Sequence, residues 1–262
     1  PALPHEETMN DTLQEQGIAA PADTALHAEN AQVEAKLDAL LAVQDAETEA
    51  EVEAEPAAEN GFVKLGLAPE LIQAVADLGY TQPTAVQDKA IPLAMGAGAE
   101  DGRFIDLMVS SQTGSGKTAA FLLPLLNRLL GDASSKQRTD VRSLILLPTR
   151  ELAQQILKEV ERFSQYTFIK AGLVTGGEDF KEQAALLRKQ PDLLIATPGR
   201  LMEHLNAGSL KLNGVEVLVL DEADRMLDLG FAEDIERITH ECANRQQTLL
   251  FSATGGGKVL RE

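Results

Sequence analysis

Two polar clusters about a hundred residues apart hold the residue types that phosphate chemistry needs. The first, Ser111-Gln112-Thr113-Gly114-Ser115-Gly116-Lys117-Thr118, follows the apolar stretch Phe104-Ile-Asp-Leu-Met-Val109. The second, Asp221-Glu222-Ala223-Asp224, follows Val215-Glu-Val-Leu-Val-Leu220. A glycine-rich loop opening a helix turns its backbone N–H groups on an anion, Lys117 would contact the β and γ phosphates, and the Thr118 hydroxyl would bind Mg²⁺. Asp221 ends its apolar run, where a magnesium-directed carboxylate is required. Glu222 beside it is the candidate that orients or deprotonates a water for attack on the γ-phosphate. Asp224 lies too far along the turn to share that metal geometry. Alone, the first cluster could be a chance Gly-Lys-Thr and the second an acidic surface turn. Together, in this order, they point to an ATPase. Ser111 stands where the G-x-x-x-x-G-K-[ST] pattern has glycine, but its side chain is small enough for the turn.

The elements that must position these clusters are legible from Phe62 onward. Short apolar runs alternate there with segments of helical period, the texture of a parallel α/β sheet. Strands are expected near 104–110, 143–147, 169–174, 192–196, 215–220 and 247–251. Helices are expected near 69–78, 84–94, 117–130, 150–164, 179–189, 199–207 and 231–241. The six strands lead, in order, into Ser111 to Thr118, Pro148-Thr-Arg-Glu-Leu152, Thr175-Gly-Gly177, Thr197-Pro-Gly-Arg200, Asp221 to Asp224 and Ser252-Ala-Thr254. Ligands of open parallel sheets bind outside the carboxyl ends of the strands, so six such clusters imply one extended functional edge. Thr175-Gly-Gly177 taken singly reads equally well as an ordinary turn.

The charge is unevenly spread. The chain of 262 residues carries a formal −18, yet residues 1–60 hold 15 acidic residues against Lys36 alone, a net of −14. The remainder is nearly balanced, so a nucleic-acid partner is not excluded by charge. Residues 1–60 read as an acidic Ala/Glu-rich extension, mostly disordered, too poor in apolar surface to fold alone. Within it Val33, Leu37, Leu40 and Leu41 share a helical face, making 29–47 either an amphipathic helix docking on the domain or a partner, or a solvated tail with transient helicity. One cysteine, Cys242, excludes an internal disulfide and suits a reducing compartment. With no long apolar span and no signal-peptide pattern, the expected location is the cytoplasm, without membrane association.

Across residues 62–254 the chain resembles the first, nucleotide-binding half of a DEAD-box RNA helicase. Asp221-Glu-Ala-Asp224 is similar to the family's signature. The phosphate loop, Pro148 to Leu152, Thr175-Gly-Gly177, Thr197 to Arg200 and Ser252-Ala-Thr254 match its other motifs in order. So does Gly79-Tyr-Thr-Gln-Pro-Thr-Ala-Val-Gln87, with Phe62 seventeen positions before Gly79.

The resemblance implies a RecA-like parallel sheet sandwiched by helices, a P-loop NTPase domain over 61–262 that uses ATP and Mg²⁺. It also implies RNA as a partner bound through its backbone. Gln87 would read adenine, since a carboxamide can pair bidentately with N6 and N7; Tyr80 would stack on the base and Phe62 brace the pocket. Without the resemblance, a core tyrosine and a helix-face glutamine are the simpler readings. Pro148, Thr149, Arg150, Gly177, Thr197, Pro198, Gly199 and Arg200 match the family's RNA-backbone contacts, although the arginines also suit surface ion pairs. Ser252 and Thr254 match the motif that links hydrolysis to strand separation, through hydrogen bonds with Asp224.

The segment 96–104 is longer than the family's usual connection and reads as a surface loop. A second RecA-like domain, source of arginine fingers, is expected to be missing from this chain, so the chain alone should be poorly active. Two rivals share the core: a nucleotide-gated RNA clamp that does not unwind, and a DNA translocase.

Overall fold

The computed structural model describes residues 31–36, 59–96, 104–112, 116–131 and 141–253. The chain divides into two units between Ala58 and Glu59. In the first, residues 31–36 are helical and exposed. Leu37, Leu40 and Leu41, expected on the same helix, lie outside the described residues, as do residues 97–103 of the expected loop.

In the second unit, strands β1 (Leu107–Ser110), β2 (Ser143–Leu146), β3 (Ala171–Val174), β4 (Leu193–Ala196), β5 (Val217–Leu220) and β6 (Gln247–Ser252) form one parallel sheet. Its order is β1-β6-β5-β2-β4-β3. Three of the four inner strands, Ser-Leu-Ile-Leu, Leu-Leu-Ile-Ala and Val-Leu-Val-Leu, are buried at every position, because helices cover both faces. The edge strands β1 and β3 alternate instead.

Register sorts these side chains into two cores. Ile145 stands level with Ile195 and Val219 on one face. Leu144, Leu194 and Leu218 point to the other. The first face is covered by α1 (Pro69–Asp77), α2 (Ala85–Ala94), α3 (Lys117–Gly131) and α4 (Arg150–Phe163). The second is covered by α5 (Phe180–Arg188), α6 (Pro198–Asn206), α7 (Ala223–Asp228) and α8 (Ala232–Glu241). The doubly covered RecA-like parallel sheet expected from the sequence is the observed fold.

Three strands start later than expected, at Leu107, Ala171 and Val217 rather than at 104, 169 and 215. Side chains take the ladder bonds there: Asp106 accepts from the Thr248 N–H at 2.7 Å, and Asp192 accepts from the Lys170 N–H at 2.9 Å. Val215 donates instead to the Leu212 carbonyl in a turn. The helix Ala223–Asp228 was not anticipated at all. Its six residues are too short for a readable period.

Helix α4 matters most for positioning, because Arg150 opens it and its flank lines the same cavity as Lys117 and Asp221. Thr149 caps it, its hydroxyl accepting the Leu152 N–H at 3.3 Å. Thr149→Ala is expected to lower unfolding free energy by about 1 kcal/mol in urea titration. A loss under about 0.3 kcal/mol would mean the hydroxyl does no capping.

Candidate active site

Strand order fixes the sequence of groups along the sheet's carboxyl edge. Reading from β1, the ends present Ser111, then Ser252, Asp221, Pro148, Thr197 and Thr175. The strand between the two chemical clusters is β6. Ser252 at its end lies level with Ser110 and accepts the Ser111 N–H at 3.0 Å. Thr254, expected to act with it, lies outside the described residues, as do Thr113, Gly114 and Ser115.

A cavity of 650 Å³ opens at the β1 side of this edge. Its walls include Tyr80, Gln87, Gly116, Lys117, Thr118, Asp221 and Glu222, so the two sequence clusters and the proposed base-binding segment meet in one space. Lys117, first residue of α3, points its ammonium between the carboxylates: Nζ is 3.2 Å from Asp221 Oδ1 and 3.5 Å from Glu222 Oε1. Asp221 is 3% exposed, and burial pushes its carboxyl above the usual range. The Lys117 charge and hydrogen bond work against that shift, as does the Glu222 N–H donated to Oδ1 at 3.0 Å. Glu222 itself is in the left-handed region (φ 53°, ψ 47°), rare for a side chain with a Cβ, and its other oxygen faces Arg225 Nη1 at 3.6 Å. Asp224 sits one turn further on, in the first turn of α7.

These groups fit a magnesium-bound triphosphate. The Ser111 hydroxyl, one residue past β1, is buried without a hydrogen-bond partner among the described residues, although Ser111 is not itself among the cavity's walls. Thr118 and Asp221 offer the hard oxygen donors that Mg²⁺ prefers, few in number because phosphate oxygens and water complete its shell. Gln112, by contrast, is exposed and is not among the cavity's walls.

Gln87 is buried and doubly engaged. Its Oε1 accepts the Thr84 N–H at 3.0 Å, completing a capping box, and its Nε2 donates to the Gly116 carbonyl at 3.1 Å. Thus the helix that carries Gln87 is tied to the phosphate loop. Gly116 has φ +81°, and a Cβ there would stand 2.5 Å from Gln87 Nε2. Tyr80, 38% exposed, walls the cavity, while Phe62 is fully buried and meets the Tyr80 ring edge-on at 6.4 Å. Phe163 from α4 supports Tyr80 at 6.0 Å. Phe62 therefore touches the cavity only through Tyr80.

A second cavity, 480 Å³, lies toward β4 and β3. Pro148, Arg150, Gly177, Thr197, Gly199 and Arg200 line it. Thr149 sits beside them as the α4 cap, and Pro198 is buried in the first turn of α6. Gly177 has φ +84°, and a Cβ there would lie 2.4 Å from Arg150 Nη1, so this turn needs glycine to seat the arginine. Arg200 is held by Glu203 at 2.7 Å and by the Glu178 carbonyl at 2.5 Å.

Sequence reasoning missed the polar layer beneath this cavity. Gln183 on α5 and His204 on α6 are buried and face each other at 2.9 Å. Burial, reinforced by the charge of Arg200, holds the His204 imidazole below its usual range. The only available signal was spacing: Phe180 and Gln183 share one helix face, as do Arg200 and His204. It also missed Gln155, Glu159 and Arg162, which wall the first cavity from α4.

The family model described as DEAD/DEAH box helicase matches residues 84–262. A probable ATP-dependent RNA helicase, ddx27, of Dictyostelium discoideum is 49% identical over 199 residues, covering 76% of this chain and 24% of that protein. The ATP-dependent RNA helicase SrmB of Escherichia coli is 44% identical over 201 residues, 77% of this chain and 44% of the relative. The crystal structure of a DEAD box protein from the hyperthermophile Methanococcus jannaschii superposes with a TM-score of 0.67 at 35% identity, over 76% of this chain and 52% of that one. The chain thus spans less than half the length of these two curated relatives.

Proposed function

The chain belongs to the DEAD/DEAH box helicase family, and on that footing we propose that it is the nucleotide-binding half of an ATP-dependent RNA helicase, working with a second RecA-like domain to open short RNA duplexes. One observation carries the reading: the sorting of the sheet's carboxyl edge. Phosphate-type groups cluster on β1, β6 and β5, and backbone-type groups on β2, β4 and β3, so one rigid sheet can hold both ligands.

In this proposal residues 61–262 are the ATP-binding domain. Lys117 leaves its carboxylate partners to neutralise phosphate charge, and the N–H groups of the phosphate loop complete the cradle. Bound Mg²⁺, held through Thr118 and Asp221, would supply Lewis-acid neutralisation of the developing charge. Glu222 orients the attacking water and accepts its proton. Gln87 reads the adenine edge and Tyr80 stacks on the base. Arg150, Arg200, Gly177 and the Thr197 turn hold RNA through phosphates and 2′-hydroxyls, which carry no base sequence. Asp224, Ser252 and Thr254 relay the state of the nucleotide to the RNA side. The acidic residues 1–60 serve as a separate contact for a protein partner. With Cys242 its only cysteine the chain can form no internal disulfide, which suits work in the reducing cytoplasm.

Residues 1–262 alone should show near-zero RNA-stimulated ATPase, whereas joining a second RecA-like domain should raise turnover by about 10³–10⁵ through its arginine fingers. Robust stimulated turnover by the chain alone would overturn the two-domain part of the proposal. The adenine role has its own test. Gln87→Ala removes the capping bond as well, which affects any nucleotide, so the informative quantity is the ATP-to-GTP ratio. ATP affinity should fall more than GTP affinity; equal loss for both would leave Gln87 a structural cap only.

A further inference from the structure

Below the second cavity a chain of polar contacts joins two turns that leave different strands. Gln183 Nε2 donates to the carbonyl of Thr175, which follows β3, at 2.7 Å. Its Oε1 faces His204 Nε2 at 2.9 Å, and His204 lies on α6, four residues after Arg200. Because the Gln183 nitrogen is committed to a carbonyl, its oxygen must accept, so His204 Nε2 carries the proton. That leaves Nδ1 as the lone-pair nitrogen, and among the described residues it is buried without a partner. The imidazole lies flat on Phe180, with centroids 4.0 Å apart and an interplanar angle of 3°. The same phenyl ring lies under the Arg200 guanidinium at 5.4 Å.

We propose that Gln183 and His204 are positioning residues for the RNA backbone, locking the Thr175-Gly176-Gly177 turn to the Arg200 turn so that phosphates meet a preformed set of donors. The inference rests on the reading of this face as the RNA site. Its physical reason is preorganisation: turns left independent would have to be ordered at the moment of binding, which weakens affinity. Mere core filling does not account for the choice of residues. Two apolar side chains would fill the space between α5 and α6 without burying an unpaired ring nitrogen, a costly group to desolvate. The Arg200 Nε and the Thr175 hydroxyl, both buried without partners, lie in the same layer and face the same cost.

The test uses the 262-residue chain and a fluorescein-labelled uridine decamer, followed by anisotropy. His204→Leu and Gln183→Met should each weaken RNA binding by about five- to tenfold, the loss expected when one positioning hydrogen bond is removed. His204→Gln, which keeps a donor at the reach of Nε2, should recover most of that loss. Binding of a non-hydrolysable ATP analogue should be unchanged in all three, because neither residue borders the nucleotide cavity. Nitrogen-15 NMR of the parent chain should show His204 as the Nε2–H tautomer. Parent-like RNA affinity in His204→Leu and Gln183→Met, or a proton on Nδ1, overturns the proposal. Should either variant fail to unfold cooperatively, the other variant and the tautomer decide. Arg200→Ala and Arg150→Ala separate the two levels. If they weaken RNA binding while the Gln183 and His204 variants do not, this inference fails and the RNA site stands. If they too bind RNA normally, the RNA site itself is wrong and the inference falls with it.

Discussion

Glu222→Gln should lower ATP turnover by about 10²–10⁴-fold in the two-domain enzyme while leaving ATP affinity within about threefold. The substitution keeps the size and shape of the side chain and removes only its capacity to take a proton. What makes Glu222 suited to that task is its backbone. A left-handed conformation costs a residue with a Cβ about 1–2 kcal/mol, and here it turns the chain sharply between two consecutive carboxylates. Asp221 is left buried at the strand end, against Lys117, while Glu222 projects into the cavity with one oxygen toward Lys117 and the other toward Arg225. The two acids thereby acquire different surroundings, as the proposed division of work between them requires. Single-turnover hydrolysis of labelled ATP, paired with a binding titration, gives both quantities. A loss smaller than about tenfold would assign the proton acceptor elsewhere.

A second large effect is expected at Gly116. Alanine there meets two costs at once. The positive φ of 81° costs about 1–2 kcal/mol. The new Cβ would also lie 2.5 Å from Gln87 Nε2 and 2.9 Å from Thr84 Oγ1, forcing apart the capping box that starts α2, worth about 1 kcal/mol. Together these predict ATP binding weaker by about 30- to 150-fold, readable by calorimetric titration. Gly208→Ala is the control. Gly208 has φ +74° with open space around the added atom, so it should lose stability and keep parent-like nucleotide affinity. If the two variants lose nucleotide affinity equally, backbone strain alone is responsible and the link between Gln87 and the phosphate loop carries no weight.

How far the sequence could be read follows from which interactions are local. Lys117, Asp221 and Glu222 were legible because each belongs to a polar cluster that follows an apolar run, and strand ends in a parallel sheet must converge on one edge. Fully apolar runs such as Val217–Leu220 announced central strands for the same reason. The missed features depend on partners remote in sequence. Nothing near position 106 says that Asp106 will take the N–H of Thr248, so the apolar run 104–110 overstates β1 by three residues. Gln183 and His204 look like ordinary helix residues until α5 and α6 are packed together. Glu222 begins a helix with no side-chain capping bond, so no start signal preceded Ala223–Asp228.

The order of strands also sets how near the two regions come to each other. Lys117 Nζ reaches Asp221, which follows β5, at 3.2 Å, and Pro148 and Arg150 follow β2, the neighbour of β5 in the sheet. At about 4.8 Å per spacing the two regions begin a single strand apart, inside the Debye length of about 8 Å at physiological ionic strength. Two polyanions held there would feel each other's charge, so their mutual repulsion, and with it any coupling between the two sites that is electrostatic, should weaken as salt rises.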